Sequence, residues 1–274
     1  MSPPVPARLV SFVVVVGAWL IACIFGPAHV ARAATDPILS RRASDASAVI
    51  ERGPDGRPVA VFGLPVSEAR IVLLPVTRDR ALPDGYEPPD LTRAAGRPLR
   101  QIVVADVRAM IDGAASDGVE LAVVSAYRSP AEQAASFESS VWRGVGRAGG
   151  TIDRAEAELR VSRFVAPPGH SQHQLGTAID ISSREIGYSI QPRLDETLAS
   201  RWLTAHAWEY GFVMPYPRDK EERSGYAYEP WHWRWVGRPL ADAMWQHGYL
   251  DHPVYVADDY LRVVEKLLDD EGIP

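Results

Sequence analysis

Apolar residues recur every three or four positions in segment 98–115, and this spacing predicts an amphipathic helix. Ser129 and Glu132 form a capping box around a proline at the first helical position, so a second helix is expected to begin there and to run to about residue 140. Three further helices are predicted, at residues 153–163, 195–210 and 256–268. The middle one of these is expected to open at Asp195 and to close at Gly211.

Shorter apolar runs predict buried strands. Residues 121–124 form one such run, and residues 177–182 form another, in which Asp180 shares a face with small residues because side chains alternate along a strand. In segment 231–235 the alternation is clearer, since three tryptophans lie on one face and His232 and Arg234 on the other. The tryptophans are expected to be core residues that anchor the strand. Because strands and helices come in runs and do not alternate strictly, the pattern favours an α+β fold.

The first 33 residues differ from the rest of the chain. Arg8 is followed by an apolar run over residues 9–25, which is the layout of a secretory signal, and Ala33 ends a small-x-small cleavage pattern. Two alternatives stay open: an uncleaved membrane anchor, and a lipoprotein site at Cys23. All three predict export of the chain. We therefore divide it into a signal segment at 1–33, an N-terminal extension or small hairpin at 34–70, and one main domain at 71–274.

Charge and cysteine content exclude several classes of protein. The net charge is −6 and the basic residues are scattered, which argues against a nucleic-acid partner. Cys23 is the only cysteine and lies in the signal segment, so the domain cannot be a cysteine peptidase, and any zinc site must use His, Asp or Glu. A serine D,D-peptidase needs a Ser-x-x-Lys motif, and the residues three positions before Lys220 and Lys266 are proline and valine.

Two segments carry the residues of a hydrolytic zinc centre. Residues 171–180 contain His173 and Asp180, and residues 229–232 contain Glu229 and His232. Taken singly, His173 is more often a surface histidine and Asp180 a turn residue, so spacing alone leaves the zinc site and the ordinary roles equally open. The strand alternation would turn Glu229 away from His232. Because the proline between them is expected to interrupt the strand, Glu229 is free to turn towards the site.

Three motifs occur in a familiar order. They are Ser125-Ala126-Tyr127-Arg128-Ser129 with Gln133, Ser171-x-His173-x-x-Gly176-x-Ala178-x-Asp180, and Glu229-x-Trp231-His232. This set resembles the VanY-type D-alanyl-D-alanine carboxypeptidases and their LdcB-like L,D-carboxypeptidase relatives, over roughly residues 72–250. One departure is Ala126, where the family more often has glycine. The resemblance implies a compact α+β fold of the Hedgehog/D,D-peptidase-like zinc peptidases, with an antiparallel sheet flanked by helices.

The resemblance also implies a role for each motif residue. His173, Asp180 and His232 match the zinc ligands, which leaves the fourth position to water, as in other catalytic zinc sites. Glu229 matches the general base, and Arg128 the residue that stabilises the oxyanion. The remaining matches are Gln133 and Ser171 as substrate-positioning groups and Trp231 as support for the neighbouring ligand.

The implied function is a zinc-dependent, monomeric D-alanyl-D-alanine carboxypeptidase. It would act outside the cytoplasm, at the cell wall or membrane, and would remove the terminal D-alanine from peptidoglycan stem peptides. Nothing in the sequence separates this activity from L,D-carboxypeptidase action on tetrapeptide stems, which uses the same metal and base. A different class of protein, a cell-wall-binding module on a decayed peptidase fold, would have lost a ligand or the base, and here all of them are present.

Overall fold

The computed structural model describes residues 50–250 and 254–274. The strands are β1 (Ile50–Arg52), β2 (Pro58–Val61), β3 (Leu64–Pro65), β4 (Leu91–Ala94), β5 (Arg97–Arg100), β6 (Ala122–Ser125), β7 (Ala178–Ser182), β8 (Phe212–Val213) and β9 (His232–Trp235). The α-helices are α1 (Val66–Val72), α2 (Val104–Ser116), α3 (Pro130–Arg147), α4 (Arg154–Val161), α5 (Leu198–His206), α6 (Glu221–Ser224), α7 (Arg238–Gln246) and α8 (Ala257–Asp270). Short 3-10 helices are found at Gln101–Val103, Gln172–Leu175, Arg184–Ile186, Pro192–Glu196 and Ala207–Tyr210.

A four-stranded antiparallel sheet lies at the centre of the molecule. Its strand order is β6-β7-β9-β8, and the β7–β9 register places Asp180 opposite His232. Every residue of β7 and of β9 is buried, so both faces of these two strands are covered. The predicted α+β architecture with an antiparallel sheet is confirmed.

The helix predicted at 98–115 begins later, at Val104. Residues 97–100 instead form β5, which pairs with β4, and a 3-10 turn leads into α2. The side chain of Arg100 is buried and forms ion pairs with Glu68 and Asp90, at 2.6 Å each. These long-range contacts override the local helical pattern, because tertiary pairing outweighs propensity in so short a segment.

Helix boundaries follow the capping residues. The capping box of α3 is present, because the Glu132 N–H donates to Ser129 Oγ at 3.2 Å and the Ser129 N–H donates to Glu132 Oε2 at 2.8 Å. This helix extends beyond the predicted end at residue 140, to Arg147. The helix predicted to open at Asp195 has Thr197 as its N-cap, since Thr197 Oγ1 accepts from the Ser200 N–H at 3.2 Å. Asp195 instead forms an ion pair with Arg218.

Part of the predicted N-terminal extension packs into the main core. Strands β1, β2 and β3 form a small antiparallel sheet, and Val61, Phe62 and Val72 belong to the same apolar cluster as β7 and β9. The boundary expected between residues 70 and 71 falls inside α1. The predicted signal segment and the first part of the extension lie outside the described residues. Among the described helices, none combines the length and the apolar character that a membrane span requires.

The C-terminal helix α8 also contributes to this core. Tyr260, Leu261 and Val264 on its inner face are buried in the main apolar cluster. Two acidic residues of its first turn, Asp258 and Asp259, are buried as well. The helix therefore brings carboxylates as well as apolar side chains into the interior.

Candidate active site

Three side chains able to bind a metal converge on one face of the central sheet. His173 Nε2 lies 3.3 Å from Asp180 Oδ1, and His232 Nδ1 lies 3.2 Å from the same oxygen. The possible ligand atoms of the three residues all lie within 4.8 Å of one another, and all three side chains are buried. Asp180 and His232 are opposed by the β7–β9 register, and His173 comes from the 3-10 helix immediately before β7. The structure thus brings together the three residues that the motifs single out as ligands.

Hydrogen bonds at the outer nitrogens fix which ring atom of each histidine faces the site. His173 Nδ1–H donates to the Ala126 carbonyl at 2.7 Å, so that Nε2 faces the site and lies 3.3 Å from Asp180 Oδ1. His232 has the opposite arrangement: Nε2–H donates to Gln172 Oε1 at 3.1 Å, and Nδ1 faces Asp180 Oδ1 at 3.2 Å. A protein group that accepts the far N–H of a histidine is the usual way to orient a metal ligand.

The protonation states also fit a cation. Burial opposes ionisation of Asp180, but the neighbouring His173 and His232 hold the pKa of this carboxyl well below its usual range. Burial lowers the pKa of His232 to about 4, against the opposing effect of Asp180, so its ring is neutral at pH 7. Two imidazoles and one carboxylate form the donor set of an open catalytic zinc site.

Gly176 shapes the loop between two of these ligands. It ends the 3-10 helix in the left-handed region, with φ of 70°, and its N–H donates to the His173 carbonyl at 3.1 Å. A Cβ at this position would lie 2.9 Å from Arg100 Cγ. Glycine therefore meets two requirements at once: the positive φ and the close approach of the buried arginine.

Glu229 reaches the site because it is not part of the strand. Its N–H donates to the Tyr216 carbonyl at 3.1 Å, and its own carbonyl accepts from the His232 N–H at 3.0 Å, which makes a tight turn around Pro230. Strand β9 begins only at His232, so strand alternation does not apply to Glu229. Burial and the negative charge of Asp180 raise the pKa of Glu229 well above its usual range, and Arg128 partly opposes this.

Arg128 and Gln133 form one unit at the edge of the site. Arg128 Nη1 donates to Gln133 Oε1 at 2.8 Å, and the fully buried Gln133 donates in turn to the Ala166 carbonyl. The Arg128 backbone N–H donates to the His173 carbonyl at 3.3 Å. The positive charge of Arg128 lowers the pKa of Glu229. It also lowers the pKa of His232, although burial and the charge of His173 have larger effects there. The guanidinium therefore acts electrostatically on the metal site.

Ser171 and Trp231 flank the ligands in the chain. Ser171 is buried directly before the 3-10 helix that carries His173. Trp231 is only partly buried, unlike Trp233 and Trp235, so the expectation that all three are core residues is wrong for Trp231. It precedes β9, where its carbonyl accepts from the Ile181 N–H at 2.8 Å.

Two residues of the site were not singled out by the sequence reasoning. Gln172, between Ser171 and His173, accepts the hydrogen bond of His232 described above, and its position in the motif was the available signal. The ring of Tyr216 stacks on that of His232, with centroids 5.0 Å apart and an interplanar angle of 28°. No local pattern marks Tyr216, because its contact with His232 arises from the tertiary fold.

The sequence matches the family described as VanY, D-alanyl-D-alanine carboxypeptidase, over residues 96–238. This segment contains every residue placed at the site above. The chain belongs to the VanY family. As a member of this family it is a peptide hydrolase of the carboxypeptidase type.

Relatives of known name support the VanY assignment. The Bacillus subtilis (strain 168) protein YodJ, which carries a carboxypeptidase name, is 35% identical over 206 residues, covering 72% of this chain and 69% of that protein. A D-alanyl-D-alanine carboxypeptidase of Enterococcus faecalis (strain ATCC 700802 / V583) is 30% identical over 77% of this chain and 75% of its own length.

Solved structures are similar in fold. VanYB in complex with D-alanine-D-alanine has a TM-score of 0.58 at 30% identity, covering 70% of this chain and 97% of that one. A zinc(II) complex of the vancomycin resistance D,D-pentapeptidase VanY has a TM-score of 0.57 at 30% identity, with 70% and 99% covered. The LdcB LD-carboxypeptidase has a TM-score of 0.56 at 30% identity, with 78% and 92% covered. Together with the His-Asp-His group, the zinc complex identifies Zn²⁺ as the cofactor of this VanY protein.

Proposed function

We propose that this protein is a zinc-dependent D,D-carboxypeptidase that removes the terminal D-alanine from the stem peptides of peptidoglycan. The observation that carries the proposal is the convergence of the His173-Asp180-His232 donor set, with the Glu229 carboxyl near enough to Asp180 for their charges to interact. A structural metal site needs no such base. A hydrolytic site does, because a water molecule must lose a proton and the leaving amine must gain one.

Glu229 is the proton carrier of this proposal. When bound, the zinc ion acts as a Lewis acid that makes a water molecule a stronger nucleophile at neutral pH. Glu229 then accepts a proton from that water and delivers it to the nitrogen of the departing D-alanine. Burial raises the pKa of the Glu229 carboxyl, which favours the protonated form that must donate to the leaving nitrogen.

Arg128 supplies positive charge at the reacting carbonyl. Its guanidinium is held by Gln133, and its charge acts on Glu229 and His232. A preorganised cation of this kind stabilises the negative charge that develops on the carbonyl oxygen. Gln133 positions the substrate mainly through Arg128, which it orients. The buried Ser171 is the other substrate-positioning group, and Trp231 supports the neighbouring His232.

The choice of substrate rests on the relatives. VanYB binds D-alanine-D-alanine, and the Enterococcus faecalis relative is named for the same activity. The similarity to the LdcB LD-carboxypeptidase favours a second candidate, L,D-carboxypeptidase action on tetrapeptide stems with the same metal and base. Incubation of the purified protein with defined penta- and tetrapeptide muropeptides, followed by mass spectrometry, separates the two: D,D action shortens the pentapeptide only.

The place of action is part of the same proposal. Peptidoglycan stem peptides lie outside the cytoplasmic membrane, and the apolar run at residues 9–25 with cleavage after Ala33 provides for export. We propose a monomer that acts at the cell wall, released or tethered through its N-terminal segment. N-terminal sequencing of the wall-associated protein tests cleavage after Ala33. Detection of a diacylglyceryl group on Cys23 would establish the lipoprotein form instead.

Two substitutions three positions apart test the chemistry. Glu229→Gln keeps the size of the side chain but cannot accept a proton, so zinc is expected to stay bound while kcat falls by roughly 10²–10⁴-fold. His232→Ala removes one of three protein donors, so zinc affinity is expected to collapse together with activity. The measurements are zinc content and kcat/KM on a peptide that ends in D-Ala-D-Ala.

Matched controls are available on the surface. His206 and Glu209 are also three positions apart and form an exposed pair with each other. His206→Ala and Glu209→Gln are expected to retain wild-type zinc content and activity. If Glu229→Gln loses its zinc, or works at nearly the wild-type rate, Glu229 is not the base, and a wild-type protein without stoichiometric zinc would refute the zinc-dependent mechanism altogether.

A further inference from the structure

The metal ligand His232 is connected to the C-terminal helix through Gln172. Gln172 Oε1 accepts the hydrogen bond from His232 Nε2–H at 3.1 Å. The other end of the same amide, Nε2, donates to the Val76 carbonyl at 3.3 Å and to Asp258 Oδ1 at 3.5 Å. Gln172 is 1% exposed, so water does not compete for these groups.

The two acceptors decide which way the amide of Gln172 points. An amide side chain has a donor end and an acceptor end, and rotation by 180° exchanges them. With Val76 O and Asp258 Oδ1 on one side, the NH₂ group must lie there and the oxygen must face His232. The oxygen in turn requires a proton on His232 Nε2, which leaves Nδ1 to bind the metal beside Asp180.

Asp258 is poorly explained as a stabilising residue. It is 3% exposed, its Oδ1 lies 3.5 Å from Arg234 Nη1, and its Oδ2 has no hydrogen-bond partner within residues 50–250 and 254–274. Burial raises its pKa to about 6, although the charge of Arg234 opposes this. A buried ion pair of this length costs desolvation free energy, and replacing both of its members by apolar residues would often be at least as stable.

The neighbouring carboxylate has the structural role instead. Asp259 Oδ2 accepts from the Val256 N–H at 2.9 Å at the start of α8, and its Oδ1 pairs with Arg223 Nη2 at 2.7 Å. Asp259 therefore accounts for the start of the helix and for its docking against Arg223.

We propose that Asp258 is a positioning residue for the metal centre, which acts through Gln172 to hold His232 in the orientation that presents Nδ1 to zinc. The proposal rests on the zinc site of the proposed function. It extends that site by a residue of α8, 20 positions beyond the segment that matches the family, which ends at residue 238. It also assigns Gln172 as the link between the helix and the ligand.

The test compares zinc affinity, measured by competition with a chromophoric chelator, and the absorption spectrum of the cobalt(II)-substituted protein. Asp258→Ala removes the acceptor and is expected to weaken zinc binding about 10- to 100-fold, the usual effect of losing a group that orients a ligand. It is also expected to alter the cobalt bands, which report the geometry of the ligands. Asp258→Asn keeps an oxygen at the Oδ1 position and is expected to restore most of the affinity.

Two further variants separate positioning from general damage. Asp259→Ala disturbs the start and docking of α8 and is expected to lower the melting temperature without a change in zinc affinity or in the cobalt spectrum. Gln172→Met breaks the link itself, so adding Asp258→Ala to it is expected to cause no further loss of affinity. If Asp258→Ala does not fold, the double variant Asp258→Ala with Arg234→Met, which removes the buried cation too, takes its place.

The proposal is overturned by wild-type zinc affinity and cobalt bands in Asp258→Ala, by an equal loss in Asp259→Ala, or by additive losses in the double variant with Gln172→Met. A wild-type protein that binds no zinc would overturn the proposed function and this proposal together. A wild-type protein that binds zinc and cleaves the peptide, beside an unaffected Asp258→Ala, would overturn the positioning role alone.

Discussion

Gly176→Ala is expected to strain the loop between two metal ligands, and the structure allows the cost to be divided into two parts. The first is the positive φ of 70°, which costs a residue with a Cβ roughly 1–2 kcal/mol. The second is crowding, because the new Cβ would lie 2.9 Å from Arg100 Cγ and 3.2 Å from Pro88 Cγ. Arg100 cannot move aside easily, since its side chain is 2% exposed and is fixed by Glu68 and Asp90.

Gly187 provides a matched control for the first part. It also ends a 3-10 helix, with φ of 64°, and a Cβ there would meet no atom of the described residues within 4 Å. Gly187→Ala should therefore lower the free energy of unfolding by roughly 1–2 kcal/mol. Gly176→Ala should add an overpacking cost of roughly 1–3 kcal/mol, for a total of about 2–5 kcal/mol.

The assay is denaturant unfolding of both variants in the presence of a chelator, so that metal binding does not contribute to stability. Zinc affinity, measured separately, is expected to fall in Gly176→Ala and to stay unchanged in Gly187→Ala, because only Gly176 lies between His173 and Asp180. If the two variants lose equal stability, the contacts around Gly176 relax without cost and the reasoning from close approach is wrong.

Three other expectations follow from the site and the fold. Arg128→Ala should move the acid limb of the kcat/KM profile to higher pH, because the charge of Arg128 lowers the pKa of Glu229 and the base is active only when deprotonated. Arg128→Lys keeps the charge and should leave the limb in place. An unmoved limb in Arg128→Ala would count against the electrostatic interaction between Arg128 and Glu229. Ser129→Ala should lower the free energy of unfolding by about 1 kcal/mol through loss of the capping box, whereas Ser139→Ala, an exposed position within α3, should have little effect in the same denaturant titration. Dialysis against a chelator should abolish activity, and added zinc should restore it. In thermal melts, zinc at about 100 times its Kd should stabilise the fold by about 2.7 kcal/mol. Stabilisation without restored activity would indicate a structural metal.

The parts of the site that follow strand alternation could be predicted from the sequence. Asp180 and His232 face the same side because each lies on a strand whose apolar residues mark the opposite face, and Glu229 departs from the alternation because Pro230 ends the strand. The capping box at Ser129 is equally local, since donor and acceptor lie three residues apart.

Other features depend on contacts that are distant in the sequence. The segment 97–100 has a helical pattern but forms a strand, because Arg100 is held by Glu68 and Asp90. Gln172 looks like an ordinary polar residue until His232 and Asp258 are placed on either side of it. Spacing within a motif cannot reveal such partners, because α8 enters the site from outside the motifs.

The pairing of Asp180 with His232 across β7 and β9 has a consequence for the order of folding events. The two residues are 52 positions apart, and a shift of either strand by one residue would turn its ligand to the other face of the sheet. A chain that has collapsed with the wrong register therefore lacks the three-donor site, even if all its helices have formed. Because long-range strand pairing is slow to form, tight metal capture should be among the last events of refolding. Appearance of the cobalt absorption after dilution from denaturant would then time the closure of this strand pair.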